Sequence, residues 1–307
     1  VEFMDYNKEI LKGVFIDPRI IETKQGKVEI DITDDDAPVL MGSHGGMGGV
    51  DQCRATIQFA SQGFKLLSLS RPGYLGTPLE SGKSLDEQAD LFAALLDELK
   101  IDKVALLSAS AGGPYAYTFA WRHPDRIWAL ITVDSVSGYY DFPETAGAIT
   151  QMIFLSDIGQ KILRKLTEMK PDAFIKEIFK AEAYFTKEQL KAHLDYVLNN
   201  EEAMDFVKAF MNTMYPFKPR QAGTENDMGI TRKLHHLPVE KVKCPTLVIH
   251  GTHDSDVKLY DGVYAHEHIE GSERYWIEEG SHIGFWINPN AKEAQKAALD
   301  FLNKHKP

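Results

Sequence analysis

The chain has 307 residues, of which 43% are hydrophobic and 26% are charged. This composition supplies enough apolar mass for one large core with an insertion, and it excludes disordered and fibrous proteins. The formal net charge of -11 opposes the approach of phosphate backbones and anionic lipid. We therefore expect no nucleic-acid partner. No run reaches the roughly 20 apolar residues of a membrane span, so none is expected.

The two cysteines, Cys53 and Cys244, are too few for a disulfide framework, and we expect both to be inert buried side chains. The absence of a basic segment followed by an apolar one at the N-terminus predicts a cytoplasmic protein. The chain begins at Val1 rather than Met, which leaves removal of a leader open.

Apolar periodicity predicts strands that alternate with helices. Residues 27–32 alternate as in a half-buried strand, and we leave open whether the earliest strands are antiparallel. Continuous apolar runs then predict strands covered on both faces at residues 39–41, 65–69, 104–107, 127–133 and 246–249. Ser84 and Glu87 form a capping-box sequence that opens a helix, and residues 291–304 predict a closing amphipathic helix. This alternation predicts an α/β fold with a mostly parallel sheet between helices.

The alternation stops after residue 133, and about ninety residues with helical patterns follow. We interpret residues 139–230 as an inserted helical cap, and residues 1–138 and 231–307 as the core. The cap is rich in large apolar side chains. We expect most of them to pack internally, and we name Phe210 and Met214 as candidates for an apolar substrate pocket.

The strongest chemical signal is the sequence S-A-S-A-G-G at residues 108–113, between a predicted strand and a predicted helix. This is the context of a nucleophile elbow, with Ser110 at its centre. Small residues on both sides allow the strand and the helix to approach each other closely. Ser108 stands where glycine is usual, and we expect its small side chain to be tolerated.

A serine hydroxyl needs a neighbouring base that is itself oriented by a third group. Asp254 follows the strand at 246–249, and His282 lies on a later loop. The resulting chain order Ser, Asp, His is the one that accompanies a nucleophile elbow of this type. We predict His282 as the general base and Asp254 as its partner. Asp134 and Asp256 remain rival acids.

A glycine-rich loop, H-G-G-M-G-G at residues 44–49, directly follows another predicted strand. Such a loop can present backbone N–H groups to an oxyanion, and we assign this role to Gly46 and Ala111. Gly45 and Met47 are further candidates for substrate contact. The sequence has neither the Lys-Ser/Thr ending nor the G-x-G-x-x-G frame of a phosphate-binding loop.

Together with R-P-G-Y at residues 71–74, these motifs resemble the α/β-hydrolase superfamily from about residue 39 to the C-terminus. The glycine loop is most similar to that of the proline iminopeptidase-type branch, which commonly has proline where Met47 stands. The resemblance implies a mostly parallel eight-stranded sheet flanked by helices, with a cap inserted. It also implies the triad and oxyanion roles at the matching positions, but it does not fix the substrate.

The leading functional prediction is hydrolysis of a small or medium apolar carboxylic ester through an acyl-enzyme at Ser110, without a metal or cofactor. One alternative is an aminopeptidase whose cap acids bind the substrate ammonium. Cleavage of a carbon–carbon bond in a diketone and a non-catalytic ligand receptor also remain open, as does the oligomeric state. The acids available to the aminopeptidase are Glu177, Glu182, Glu201, Glu202 and Asp205.

Overall fold

The computed structural model describes residues 8–140 and 155–307. In these ranges ten strands form two sheets. The smaller sheet pairs β1 (Glu9–Leu11) with β2 (Val14–Phe15). The larger sheet has eight strands in the order β10-β9-β8-β7-β5-β6-β4-β3. Its strands are β3 (Arg19–Thr23), β4 (Gly26–Ile32), β5 (Val39–Ser43), β6 (Lys65–Leu69), β7 (Val104–Ala109), β8 (Ile127–Val133), β9 (Thr246–Gly251) and β10 (Glu273–Ile277).

The eight-stranded sheet is mostly parallel, as predicted. From β6 through β10 every neighbouring pair is parallel, whereas β3 and β4 join the sheet in antiparallel pairs. The carboxyl ends of six parallel strands therefore meet at one edge. Open α/β sheets bind their ligands at that edge, because the loops that follow the strands converge there.

Eleven α-helices accompany the strands in the described ranges. Ser84 caps α2 through a full capping box with Glu87, as the sequence predicted. The helices are α1 (Val50–Ile57), α2 (Leu85–Glu98), α3 (Gly113–Arg122), α4 (Asp157–Met169), α5 (Pro171–Glu182), α6 (Lys187–Asn199), α7 (Glu201–Asn212), α8 (Gln221–Thr231), α9 (Leu259–His268), α10 (Gly284–Ile287) and α11 (Ala291–His305).

Both faces of the parallel sheet are buried, which explains the continuous apolar runs. Alternate strand residues such as Met41 and Leu106 pack against α2 and α3 on one face. Their neighbours Leu40 and Leu107 pack on the other face with residues of α1 and α11. Burying a side chain of this size contributes about 1.5–3 kcal/mol relative to leaving it exposed, so the two apolar layers hold the sheet edge in place.

Helices α4 to α8, called here the inserted helices, lie between β8 and β9 in the chain. They fall within the segment predicted as a cap, of which residues 141–154 lie outside the described residues. The apolar faces of α4 to α7 pack together and against Ile283 and Ile287 in and beside α10. The exact division into core and cap stays a prediction. Within the described ranges, no helix combines the length and apolar character needed to cross a membrane.

Candidate active site

Ser110 lies in a sharp turn between β7 and α3, at the carboxyl edge of the sheet. Its backbone φ is 51°, a left-handed value that is unusual for a residue with a side chain. A Cβ on Gly112 would lie only 2.4 Å from the carbonyl oxygen of Ser43 on β5. The turn therefore requires glycine here, because it packs directly against the neighbouring strand.

Ser108 replaces the glycine that usually precedes the nucleophile by two positions. The Ser108 hydroxyl is fully buried and lies 2.9 Å from the hydroxyl of Ser135, which follows the adjacent strand β8. The extra polar group is thus hydrogen-bonded rather than left unsatisfied. This contact explains why a serine is tolerated at the position.

His282 and Asp254 meet in a buried hydrogen bond. The imidazole Nδ1 lies 2.8 Å from Oδ2 of Asp254. The other carboxylate oxygen, Oδ1, accepts the backbone N–H groups of Asp256 and Val257 at 2.9 and 3.1 Å. The carboxylate is therefore fixed by its own loop, and it orients the imidazole in the manner of a Ser-His-Asp triad.

Close backbone packing brings the two loops of this pair together. The N–H of His253 donates to the carbonyl of Gly280 at 2.9 Å. A Cβ on Gly251 would lie 2.4 Å from the same carbonyl oxygen, so only glycine allows this approach. The sequence motifs G-T-H-D and G-S-H thus supply both the functional side chain and the room it needs.

Charge and burial have opposite effects on the pKa of each member of this pair. Burial raises the pKa of Asp254 to about 6, against the opposing effect of the His282 imidazolium. Burial by itself would lower the pKa of His282, but the carboxylates of Asp254 and Asp256 outweigh it and hold that pKa well above its usual value. The two carboxylates therefore favour the protonated form of the imidazole.

Asp134, a rival acid, follows β8 and is fully buried behind the pair. One of its oxygens accepts the N–H of Gly251 at 2.7 Å, and the other has no hydrogen-bond partner among the described residues. Burial and the neighbouring Asp254 charge raise the pKa of Asp134 well above its usual value. Asp134 is therefore protonated and does not contact His282 by a hydrogen bond.

Asp256, the other rival acid, lies on the opposite side of the imidazole. Its Oδ2 is 3.4 Å from Nε2 of His282, and its Oδ1 accepts the hydroxyl of Tyr140 at 2.7 Å. Nε2 is the atom that a triad histidine turns toward the serine. In the described part of the chain, no hydrogen bond joins the Ser110 hydroxyl to His282. The group found next to Nε2 is instead the carboxylate of Asp256.

Glu182, at the end of α5, connects the inserted helices to this site. Its carbonyl oxygen accepts the N–H groups of His282 and Ser255, both at 3.2 Å, and Ala183 pairs with Asp254 in an antiparallel bridge. Burial, followed by the nearby acids, raises the pKa of the Glu182 side chain to about 8, although the His282 charge opposes this. Glu182 is thus a neutral acid next to the imidazole.

The other acids suggested for ammonium binding lie elsewhere. Three of them pair with lysines at the surface, where ion pairs contribute little. The pairs are Glu177 with Lys180, Glu201 with Lys12 and Glu202 with Lys292. The fourth acid, Asp205, accepts the backbone N–H of Lys12. Of that predicted set, the structure brings only Glu182 to His282.

The glycine loop lies beside Ser110. A Cβ on Gly45 would be 3.3 Å from the Cβ of Ser110, and one on Gly46 would be 3.9 Å from the Cβ of Ala111. The amide of Gly46 has no hydrogen-bond partner among the residues that the structure describes. Gly46 and Ala111 are therefore placed side by side, as a pair of oxyanion donors would have to be.

Two buried arginines hold this loop, and sequence reasoning missed both of them and their partners. Arg71 forms a bidentate ion pair with Asp227 on α8 and also donates to the carbonyls of His44 and Gly45. The hydroxyls of Tyr74 and Tyr115 donate to the same Asp227 carboxylate, each at 2.6 Å. Because 156 residues separate Arg71 from Asp227, no local pattern could reveal the pair.

The second arginine, Arg220, donates to the carbonyl of Gly48 at 2.7 Å and pairs with both carboxylate oxygens of Asp51 on α1. Like Arg71, it is fully buried. Both ion pairs join the segment around α8 to the core, and both contact the loop that carries Gly46. The glycine loop is therefore positioned by residues from distant parts of the chain.

The apolar candidates Met47, Phe210 and Met214 belong to one cluster that also contains Ile283 and Ile287. Met47 is half-buried with a positive φ of 57°. The cluster packs the inserted helices against the segment after His282. A role for these side chains in contacting substrate stays a prediction.

One group of side chains in the described ranges has the spacing of metal ligands. Nitrogen and oxygen atoms of Asp134, His250 and Asp254 lie within 4.8 Å of one another. These atoms already have other partners: Asp254 accepts His282, and the His250 Nε2 donates to the carbonyl of Val257 at 2.8 Å. The group therefore serves as the polar support behind the His282–Asp254 pair.

Comparison with known proteins agrees with this geometry. A family model described as alpha/beta hydrolase fold matches residues 38–289. The chain belongs to the alpha/beta hydrolase fold family. A solved alpha/beta hydrolase fold protein from Nakamurella multipartita superposes with a TM-score of 0.88 at 32% identity, covering 93% of this chain and 99% of that one.

Two curated hydrolases are also similar to this chain. An uncharacterized hydrolase of Bacillus subtilis (strain 168), YcgS, is 27% identical over 90% of this chain and 95% of its own length. A 2-hydroxy-6-oxononadienedioate/2-hydroxy-6-oxononatrienedioate hydrolase of Pseudomonas putida is 23% identical over 86% of each chain. These similarities extend over nearly the whole hydrolase.

Proposed function

We propose that this protein is a serine hydrolase that cleaves the carboxylic ester of a small or medium apolar substrate through an acyl-enzyme at Ser110. The observation that carries the proposal is the strained Ser110 turn at the sheet edge where His282 and Asp254 form their buried hydrogen bond. Strain of this kind is stored where a side chain must be presented to a reactant.

In the proposed reaction, the Ser110 hydroxyl attacks the ester carbonyl carbon while Nε2 of His282 takes its proton. The oxyanion that forms accepts the amides of Gly46 and Ala111. Collapse of the intermediate breaks the bond to the alcohol, which leaves with the proton from His282. Water then attacks the acyl group by the same route and releases the acid and the free serine. Asp254 stabilises the imidazolium in both halves.

Cleavage of a carbon–carbon bond is the second candidate. The Pseudomonas putida relative favours this candidate, because that protein is named as a hydrolase of 2-hydroxy-6-oxononadienedioate and 2-hydroxy-6-oxononatrienedioate. The same serine, histidine and oxyanion donors would serve, with a carbanion as the leaving group in place of an alkoxide. An aminopeptidase is a third candidate. Glu182 is the acid of the predicted set that lies beside His282, but it would have to lose the proton that burial favours before it could bind an ammonium group.

Covalent labelling tests the proposed nucleophile. Incubation with a fluorophosphonate should add one adduct by intact mass, and Ser110→Ala should abolish it. Ser108→Ala is the matched control, because Ser108 lies two residues away but is fully buried against Ser135. That variant should still be labelled. A folded wild-type protein that takes up no label would refute the assignment of Ser110.

A substrate panel separates the reaction classes. We would compare short-chain aryl esters, a prolyl amide and a vinylogous diketone at equal concentration, with Ser110→Ala as the blank. Faster turnover of the esters supports the leading proposal. A clear preference for the diketone would move the assignment to carbon–carbon hydrolysis, and a preference for the prolyl amide to an aminopeptidase.

A further inference from the structure

Two carboxylates contact the His282 imidazole, one at each nitrogen. Asp254 lies 2.8 Å from Nδ1 and Asp256 lies 3.4 Å from Nε2. A triad needs only the first, because Nε2 has to accept the serine proton. A negative charge at Nε2 competes with the serine for that nitrogen.

Asp256 is itself held in place. Its Oδ1 accepts the Tyr140 hydroxyl at 2.7 Å, and its side chain is 18% exposed. The Asp254 carboxylate accepts the Asp256 backbone N–H, so the two acids share one short turn. The position of Asp256 is therefore set by the same turn that sets the triad acid, and it does not depend on a mobile surface side chain.

We propose that Asp256 is a positioning residue that holds Nε2 of His282 in the resting site, so that the imidazole must be released from Asp256 before it serves Ser110 as a base. This inference rests on the proposed function. A carboxylate at Nε2 favours the protonated ring, and the base becomes available as that proton is lost or as a substrate displaces the contact.

The charged groups around the ring determine the sign of the pH effect. Asp254 and Asp256 face the two nitrogens, Glu182 approaches from the inserted helices, and Asp134 lies behind Asp254 with His250. Glu182 and Asp134 are held neutral by burial, so Asp256 is the removable negative charge at Nε2. Its loss lowers the pH at which His282 becomes a base.

The test compares Asp256→Asn with Asp125→Asn, which removes the same charge from an exposed position just before β8, at the far end of that strand from Asp134. We would measure the rate of fluorophosphonate labelling of Ser110 against pH. Asp256→Asn should move the rising limb down by about one pH unit, which is about a tenfold faster rate on the acidic side. Asp125→Asn should leave the limb unchanged. A limb that stays in place or moves up in Asp256→Asn would overturn the proposal.

A second readout does not depend on catalysis. Nitrogen NMR of the imidazoles, with His282→Asn for assignment, gives the pKa of His282 directly in wild type and Asp256→Asn. If that variant folds poorly, Asp256→Ala removes the same charge. A lowered pKa supports the inference even if Ser110 takes up no label, and an unchanged pKa overturns it even if labelling succeeds. The two proposals therefore fail separately.

Discussion

Ser110 has a left-handed backbone and sits at the centre of the sequence pattern that first marked it. Asp134, at the end of the next strand, is also left-handed, with a φ of 45°. Both residues therefore turn sharply at the carboxyl edge of the sheet, but Ser110 is only half-buried, whereas Asp134 is fully buried. Asp134 is buried, protonated and bonded to the Gly251 amide. The same left-handed turn thus leaves the Ser110 side chain half-buried and buries that of Asp134 completely.

This difference leads to a test of which acid supports the histidine. We expect Asp254→Asn to lower kcat by about 10⁴-fold, because the amide cannot hold the imidazole in its working tautomer. Asp134→Asn should leave kcat close to wild type, because the neutral amide keeps the acceptor for the Gly251 N–H. Steady-state kinetics on an ester substrate checks both variants. A larger loss in Asp134→Asn than in Asp254→Asn would reverse the assignment.

At the scale of elements, the glycine loop depends on contacts that cross the whole chain. Its residues 44–49 are short of side chains, so the loop cannot fix its own conformation. Arg71 and Arg220 supply that rigidity by binding its carbonyls, and Asp227 and Asp51 in turn neutralise the arginines. The position of this loop therefore depends on the packing of the segment around α8 against the core.

The buried ion pair should therefore be costly to break. Asp227→Asn leaves the Arg71 guanidinium without its counter-charge in the interior, and we expect a loss of about 3–5 kcal/mol in the free energy of unfolding. The control is Glu22→Gln, which breaks an exposed pair with Lys27 and should cost less than about 1 kcal/mol. Urea unfolding measures both. Equal losses in the two variants would show that the Arg71–Asp227 pair adds no special stability.

For the whole molecule, the acids at the site make stability depend on pH. The Glu182 carboxyl has a usual pKa of 4.5 and a folded-state pKa of about 8, chiefly because of burial. Between these two values the folded chain holds a proton that the unfolded chain has lost. Stability from this group is therefore complete below pH 4.5 and falls as the pH rises through 8.

Glu182→Gln should remove this dependence, because the amide is neutral at every pH. We expect Tm to fall less between pH 6 and pH 8.5 in the variant than in wild type, by about 2–4 °C for each kcal/mol recovered. Differential scanning calorimetry in buffers of equal ionic strength measures the shift. Glu177→Gln, at an exposed position on the same helix, is the control. Parallel curves for wild type and Glu182→Gln would contradict the assigned ionisation.

Local patterns were sufficient for most of the parallel sheet and for the start of α2. The predicted strands at residues 65–69 and 127–133 have the observed bounds, because both faces of each strand are buried and the apolar run is as long as the strand. Ser84 and Glu87 satisfy each other at the start of α2, so that boundary was also local. Strands β3 and β10 were not predicted, since their residues are largely exposed or half-buried.

The sequence by itself determined the α/β-hydrolase fold and the candidate nucleophile, because strand burial and the small residues around Ser110 are properties of neighbouring positions. Only the tertiary structure decided which acid binds which nitrogen of His282. The sequence favoured Asp254 and left Asp134 and Asp256 as rivals, and burial, backbone hydrogen bonds and the side of the ring that each one faces distinguish them. Those properties depend on residues far apart in the chain, so no local sequence pattern can predict them.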